Sequence, residues 1–369
     1  MNETIHWTEN AQNMQADWGG DSRHPVPKHI QAITQISAEQ AIPLMRQHTA
    51  LLWRGDYHQG KQLLAAIKKR VRSKARIHTD FHKHRLQQAQ HSRLFQLLLV
   101  EIQPQGILNN SRAPDIAAAL NDVFGKPNQN ALLLPLHLLL GYIGAYEWHK
   151  TGVSIPALQG QKIHVPYGVF SPVRGEYLEL VAHAALPSAC RQTAWDIGTG
   201  SGVLAAILAQ RGIPEIIATD NNPRAIACAQ ANIERLGLNK QIHIQHTSLF
   251  PEGKADLIVC NPPWLPAKPS SDIETALYDP NHQMLKTFLE NVRNHLSANG
   301  QVWLIMSDIA EHLGLRPSEA LHQWIEAAGL KIIHKIDTQP THQKAREQHH
   351  PLSYARNREI TSLWQLGIQ

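Results

Sequence analysis

From about His24 to Gly160 the apolar positions recur at helical intervals. Leu63, Leu64, Ile67 and Val71 fall at i, i+1, i+4 and i+8, which places them on one face of a helix. A second helix is expected from about Pro114 to Phe124, and a largely apolar one in the Ala131 to Lys150 region. The first 22 residues are polar and contain Gly19-Gly20, which suggests a flexible terminal arm. Gly152 to Ser171 is punctuated by Pro156, Gly160, Pro166 and Gly168, as expected of a linker leading into a short strand or hairpin. The pattern divides the chain into an arm over 1–22, a mainly helical domain over 23–160 and a third region over 161–369.

In that third region the pattern changes to strand, turn and helix in alternation. Ala194 to Ile197 is an apolar run ending in glycines, and the following helix carries Leu204, Ile207 and Leu208 on one face. Further strands are expected at Glu215 to Thr219, Ile242 to Gln245, Leu257 to Cys260, Val302 to Met306 and Leu330 to Ile336. Asn222 suits a helix N-cap, Pro223 the first helical position and Gly237 the stop. Asp279-Pro280 opens a helix striped by Met284, Leu285, Phe288, Leu289, Val292 and Leu296. Alternating strands and helices predict a mostly parallel sheet covered on both faces, an α/β domain.

Composition narrows this picture without redirecting it. The chain has 369 residues, 43% of them apolar, enough for two domains with substantial cores. A formal net charge of +5 is compatible with a nucleic-acid partner and does not demand one. Cys190, Cys228 and Cys260 form no CxxC pair and no disulfide framework, so they read as structural and point to a reducing cytoplasm. The chain opens Met1-Asn2-Glu3-Thr4, without a signal-peptide pattern. The uncharged stretch from Ala131 to Tyr146 is short of the roughly 20 residues a membrane span needs. A buried helix is the expectation there.

The candidate chemistry begins at Trp195-Asp196-Ile197-Gly198-Thr199-Gly200-Ser201-Gly202, between a strand and a helix. Glycines let the backbone turn sharply and let a ligand approach it, and the helix start offers free N–H groups. The spacing is G-x-G-x-G, tighter than the dinucleotide G-x-G-x-x-G. Asp196 just ahead of it suits ordering the loop and meeting an ammonium. The next strand ends at Thr219-Asp220-Asn221, where a carboxylate can accept both hydroxyls of a ribose. Amino-acid recognition at the first turn and ribose recognition at the second together describe S-adenosylmethionine. A glycine-rich turn alone is weak evidence, and a nicotinamide dehydrogenase is the competing use of such a fold.

The strand Ala255 to Cys260 then ends in Asn261-Pro262-Pro263-Trp264. Two prolines after a strand also serve as a plain terminator. From about Tyr167 to its end, however, the chain resembles class I methyltransferases of the small-domain type, in the amino-methylating branch. That branch carries [Asn/Asp/Ser]-Pro-Pro-aromatic and includes protein-glutamine N5-methyltransferases of release factors and base-amino methyltransferases of DNA and RNA. The resemblance implies a Rossmann-like seven-stranded sheet whose last strand, near Thr361 to Leu366, runs antiparallel. It implies a cofactor site at Asp196, Gly198, Thr199, Gly200, Gly202, Asp220, Asn221, Ser248, Leu249 and Asn261. It makes Asn261, Pro262, Pro263 and Trp264 the catalytic set, with Asn261 and the Pro262 carbonyl accepting the hydrogens of a planar nitrogen and Trp264 covering its face. Glutamine methyltransferases typically have tyrosine at the position of Trp264 and an acidic residue at that of Ser248. The lead-in Phe170-Ser171-Pro172-Val173-Arg174-Gly175-Glu176 matches theirs loosely.

Between Lys61 and Arg93 ten Lys or Arg stand against one acidic residue, Asp80, interleaved with His78, His82, His84 and His91. This is either a phosphate-contacting surface or a solvated helix face. His78 and His82 have the i, i+4 spacing of a helical metal bridge but no placed third ligand, so no metal is expected. The reading is N-methylation of a planar amide or amino group in a macromolecule. Protein glutamine is the first choice on overall layout, an RNA base the runner-up, and a non-catalytic module that only binds S-adenosylmethionine the alternative of another class.

Overall fold

The computed structural model describes residues 3–21, 24–73, 75, 78–269, 277–340 and 352–369. The chain forms two compact units, 1–147 and 148–369. Lys74 and Arg76 of the basic segment, and the expected boundary at 22–23, lie outside the described residues.

The first unit contains strands β1 (Thr4–Glu9), β2 (Gln12–Trp18) and β3 (His29–Ile33), helix α1 (Ala38–Arg46) and strand β4 (Thr49–Trp53). Helices α2 (Tyr57–Ser73) and α3 (Phe81–Phe95), strands β5 (Leu98–Gln103) and β6 (Ile107–Leu108), helix α4 (Ala117–Phe124) and strand β7 (Leu132–Pro135) follow, and helix α5 (Leu136–Thr151) runs out of the unit. The strands make one mixed sheet in the order β1-β2-β7-β5-β4-β3, with β6 on β5.

Two expectations need correction here. Residues 4–18 are not a loose arm but a hairpin, turned at Asn10 and Ala11 in left-handed backbone. Ile5, Trp7, Ala16 and Trp18 alternate inward and are buried, a period-2 pattern that the polar residues between them disguise. The domain is likewise not simply helical, because its helices are laid on a sheet. Leu51, Leu52, Leu98, Leu99 and Leu133 are fully buried in its strands. Short apolar runs buried on both faces carry no strand periodicity, so next to strong helical patterns they pass as helix. The buried α2 face is the expected one, with Leu63, Leu64, Ile67 and Val71 inward. The region from 131 to 150 divides into β7 and α5, and none of the described helices is long and apolar enough to cross a membrane.

The second unit opens with a small hairpin of β8 (Val153–Ser154) and β9 (Lys162–Ile163), then helix α6 (Glu176–His183). Strand β10 (Thr193–Ile197), helix α7 (Val203–Gln210), β11 (Glu215–Asp220), α8 (Pro223–Arg235), β12 (Ile242–His246) and β13 (Ala255–Cys260) follow as expected. The remainder is α9 (Gln283–Val292), β14 (Leu296–Ser307), α10 (Ile309–His312), α11 (Ala320–Ala327), β15 (Leu330–Thr338), α12 (Ser353–Arg356) and β16 (Thr361–Ile368).

The sheet order is β12-β11-β10-β13-β14-β16-β15. The first five strands are parallel, and β16 runs antiparallel to both β14 and β15, as the resemblance implies. One face is covered by α6, α7 and α8, and the other by α9 and α11. Sequential strands lie side by side outward from β10, so the order reverses between β10 and β13, where an open α/β sheet leaves a crevice.

Candidate active site

Register brings the three expected loops to one edge. Ile197 of β10 lies level with Thr219 of β11 on one side and Cys260 of β13 on the other. Gly198, Asp220 and Asn261 therefore leave adjacent parallel strands together. Direct bonds tie the first two loops: Gly200 N donates to Asp220 Oδ2 at 3.0 Å, and Thr199 N to the Thr219 carbonyl at 2.8 Å. Asn222 N donates to Asp220 Oδ1 at 2.9 Å, so the carboxylate braces two turns while keeping lone pairs free.

Gly198, Gly200 and Gly202 have φ of 72°, 56° and 81°, left-handed backbone that a Cβ would strain. Their surroundings differ. Gly198 is exposed and Gly200 half-buried, and a side chain on Gly200 would meet nothing within 4 Å. Gly202 is buried, and a Cβ there would lie 3.3 Å from Ala229 of α8, so its lack of a side chain serves helix packing. At the tip, Met284 of α9 lies 3.7 Å from the Cβ position of Gly198. The start of α9 is fixed by buried Asp279, which accepts from Met284 N at 2.9 Å and Leu285 N at 3.0 Å.

Asp196 is fully buried. Its Oδ2 accepts from Thr199 Oγ at 2.6 Å and from Ala205 N in the first turn of α7 at 3.0 Å, and its Oδ1 has no partner among the described residues. Burial pushes its pKa up to about 6, against the lowering effect of the bonds from Thr199 and Ala205. These two bonds tie the glycine loop to the start of α7.

The remaining cofactor candidates frame the same edge. The loop after β12 is held by Thr219 Oγ, which donates to the Leu249 carbonyl at 2.6 Å, and by Thr247 N, which donates to the Asp220 carbonyl at 3.1 Å. Leu249 has φ of 64°, and Ser248 is exposed beside it. The Asn221 side chain points to solvent, while its carbonyl meets His246 Nε2 at 3.0 Å. These residues fit S-adenosylmethionine. Exposed glycine backbone, an unpartnered buried carboxylate oxygen on Asp196 and the strand-end carboxylate of Asp220 match an amino-acid end and a ribose.

In the acceptor motif Asn261, Pro263 and Trp264 are half-buried and Pro262 is buried. Trp264 Nε1 donates to Asn261 Oδ1 at 3.0 Å, a bond that the sequence did not signal. Trp264 packs against the cores on both faces of the sheet. Beneath the motif, Cys260 is fully buried with its thiol pKa pushed well up by burial, so it is a packing residue. Thr219, Asp279 and Met284 stood in the sequence only as a strand end, a helix start and part of an apolar stripe, with no role at this edge.

Away from this edge, His78 precedes α3 rather than lying on it, so the helical pairing with His82 does not form. His84 is buried, and Asp80 caps α3 through Lys83 N at 2.8 Å. Lys61, Lys69, Arg70, Arg72, Lys83 and Arg93 are exposed.

Known proteins resemble part of this chain. Residues 161–327 match the family model described as methyltransferase small domain. A tRNA1(Val) (adenine(37)-N6)-methyltransferase of Cytophaga hutchinsonii is 32% identical over 122 residues, 31% of this chain and 51% of the relative. A release factor glutamine methyltransferase of Gloeobacter violaceus is 34% identical over 125 residues, covering 32% and 41%. A ribosomal protein L11 methyltransferase of Pelotomaculum thermopropionicum is 41% identical over 71 residues, covering 19% and 23%. The chain thus spans between about a quarter and half the length of these relatives.

Proposed function

We propose, from a second unit that carries a methyltransferase small domain over residues 161–327, that this protein is an S-adenosylmethionine-dependent N-methyltransferase acting on a planar nitrogen. The observation that carries the reading is the alignment of Gly198, Asp220 and Asn261 on three adjacent strand ends. Asp196 and the backbone of Gly198 and Gly200 hold the amino-acid end of the cofactor. Asp220 holds its ribose, and the loop at Ser248 and Leu249 takes the adenine. When bound, the cofactor supplies a methyl group on a sulfonium, already electrophilic. The chain's own work is orientation. Asn261 Oδ1 and the Pro262 carbonyl accept the two hydrogens of an amide or exocyclic amine, and Trp264 covers its face. Such a nitrogen is a poor nucleophile because its lone pair is delocalised. Holding its hydrogens aligns that lone pair and favours the charge that develops on the nitrogen.

Among acceptors, an amino group of an RNA base is the better supported. The basic helices α2 and α3 present six exposed cations, named above, and their one acid, Asp80, is engaged as a helix cap. Exposed cations of this kind suit phosphates. Protein glutamine stays the second reading, since a release factor glutamine methyltransferase is among the relatives, 34% identical over 125 residues.

The test is transfer of labelled methyl from S-adenosylmethionine into extract of cells lacking the protein. Label removed by ribonuclease supports the RNA reading, and label removed by protease supports glutamine. Cofactor binding without transfer to any fraction would overturn the enzyme in favour of a binding module.

A further inference from the structure

The lead-in from Phe170 to Glu176 finds its use next to the acceptor motif. Arg174 Nε donates to Glu176 Oε1 at 2.9 Å, and its Nη2 lies 3.1 Å from Glu359 Oε2. Both glutamates are buried, and Glu359 Oε1 accepts from Ser307 Oγ at 2.8 Å at the end of β14. Held from two sides, the guanidinium carbon lies 5.7 Å from the centre of the Trp264 ring. The same ring donates its N–H to Asn261 Oδ1. A continuous path therefore runs from Ser307 through Glu359, Arg174 and Trp264 to the residue proposed to receive the acceptor nitrogen.

We infer that Arg174 is a positioning residue: it clamps the Trp264 ring, and the Trp264 indole N–H fixes which end of the Asn261 amide faces the acceptor. The two ends of an asparagine amide are opposite in chemistry, one accepting and one donating, and similar in shape. An indole N–H only donates. It stabilises the rotamer with Oδ1 toward it and opposes the flipped one, in which N–H would meet N–H. The second lone pair of Oδ1 then stays available to an incoming N–H. A tyrosine hydroxyl at this position would both donate and accept, and would tolerate either rotamer. Tryptophan in the fourth position is thus a device for fixing Asn261, and it works only while the ring is held still.

Arg174 suits the holding task. A guanidinium over an aromatic face contributes about 0.5 to 2 kcal/mol depending on desolvation. Burial pulls its pKa down, but Glu359 and Glu176 outweigh that and leave it raised, so the clamp stays charged at any working pH. Lysine lacks the planar fork that meets two carboxylates and a ring at once. The simpler account is that Arg174 only neutralises two buried glutamates, and it predicts loss of stability with no particular effect on Trp264 or on turnover.

The inference rests on the N-methyltransferase reading, and the experiment separates the two. The full chain with 15N-labelled tryptophan is prepared as wild type, Arg174→Ala, Arg174→Lys, Trp264→Phe and the double variant Arg174→Ala/Trp264→Phe. The Trp264 indole resonance is the one missing in Trp264→Phe. Its proton should exchange with solvent at least tenfold faster in Arg174→Ala, with a smaller increase in Arg174→Lys. Methyl transfer into the extract fraction that accepts label should fall at least tenfold in kcat for Arg174→Ala and for Trp264→Phe, with the S-adenosylmethionine Kd within twofold of wild type. The double variant should be no slower than Trp264→Phe alone. Unchanged indole exchange, or rate losses that multiply in the double variant, would overturn the clamp. If Arg174→Ala does not fold, Arg174→Lys decides by the same two readouts. If even the wild type transfers no label, the enzyme reading fails, and the exchange measurement still judges the clamp.

Discussion

At the end of β4 the chain continues Arg54-Gly55-Asp56, and at the end of β10 it continues Gly198-Thr199-Gly200. Both strands are central and parallel to a neighbour, yet the two loops do opposite things. Arg54 is ion-paired to Glu9 at 2.6 Å and to Glu101. Asn110 Nδ2 donates to the carbonyls of Trp53 at 3.2 Å and Gly55 at 2.7 Å, and Arg112 pairs with Asp56 at 2.7 Å, holding that carboxyl well below the usual range. The first edge fills itself with side chains. At the second, glycines leave backbone exposed, and the carboxylates of Asp196 and Asp220 brace main chain instead of pairing with arginines. A parallel sheet offers an edge in either case, and the loops decide whether it is closed by structure or left open to a ligand.

Substitutions at the two edges should therefore fail in different ways. The largest effect is expected from Asn261→Ala, which should lower turnover by about 10²- to 10³-fold, the scale for losing one well-placed polar group at a reacting centre. Its S-adenosylmethionine affinity, read by calorimetry, should stay near normal, and a near-normal rate would make the motif a mere strand stop. Arg54→Met leaves buried Glu101 without its cation and should cost about 3 kcal/mol of stability in denaturant melts. Cofactor affinity should not change. A loss of affinity there would break the contrast between a filled edge and an open one.

Asp196→Asn sharpens the comparison through pH. The Asp196 pKa in the folded protein, about 6, lies above its ordinary value of 3.8. Its contribution to stability is therefore complete below about pH 4 and lost as pH rises through 6. The Asn variant should gain in Tm relative to wild type across that interval. The cofactor's ammonium favours the ionised form, so wild-type affinity should fall below about pH 6. In the variant it should be about tenfold weaker and flat with pH. A flat wild-type profile would remove Asp196 from the cofactor site. The smallest effect is expected from Gly200→Ala, about 1 to 2 kcal/mol from left-handed backbone alone, because no neighbour lies in the way.

The second unit was legible because its signals are local. Asp196 to Gly202, Asp220 and Asn261 to Trp264 each stand at the end of an apolar run, and strand order in an α/β domain follows chain order closely enough to place them together. The first unit was not. Its hairpin hides Ile5, Trp7, Ala16 and Trp18 among polar residues, and the fully buried β4 and β5 lack the alternation that marks a strand. The sequence also named Arg174 and Glu176 without a task, because Glu359, Ser307 and Trp264 are far from them along the chain.

By itself, then, the sequence determined which fold the second unit takes and where the proposed site residues stand in it, since both depend on short-range spacing and on turns that only glycine or proline satisfies. Tertiary structure alone decided the sheet of the first unit, the bond from Trp264 to Asn261 and the path from Arg174 to Ser307. Those depend on side chains distant in sequence becoming neighbours, and no local pattern of apolar and polar positions records which distant partner a buried group will meet.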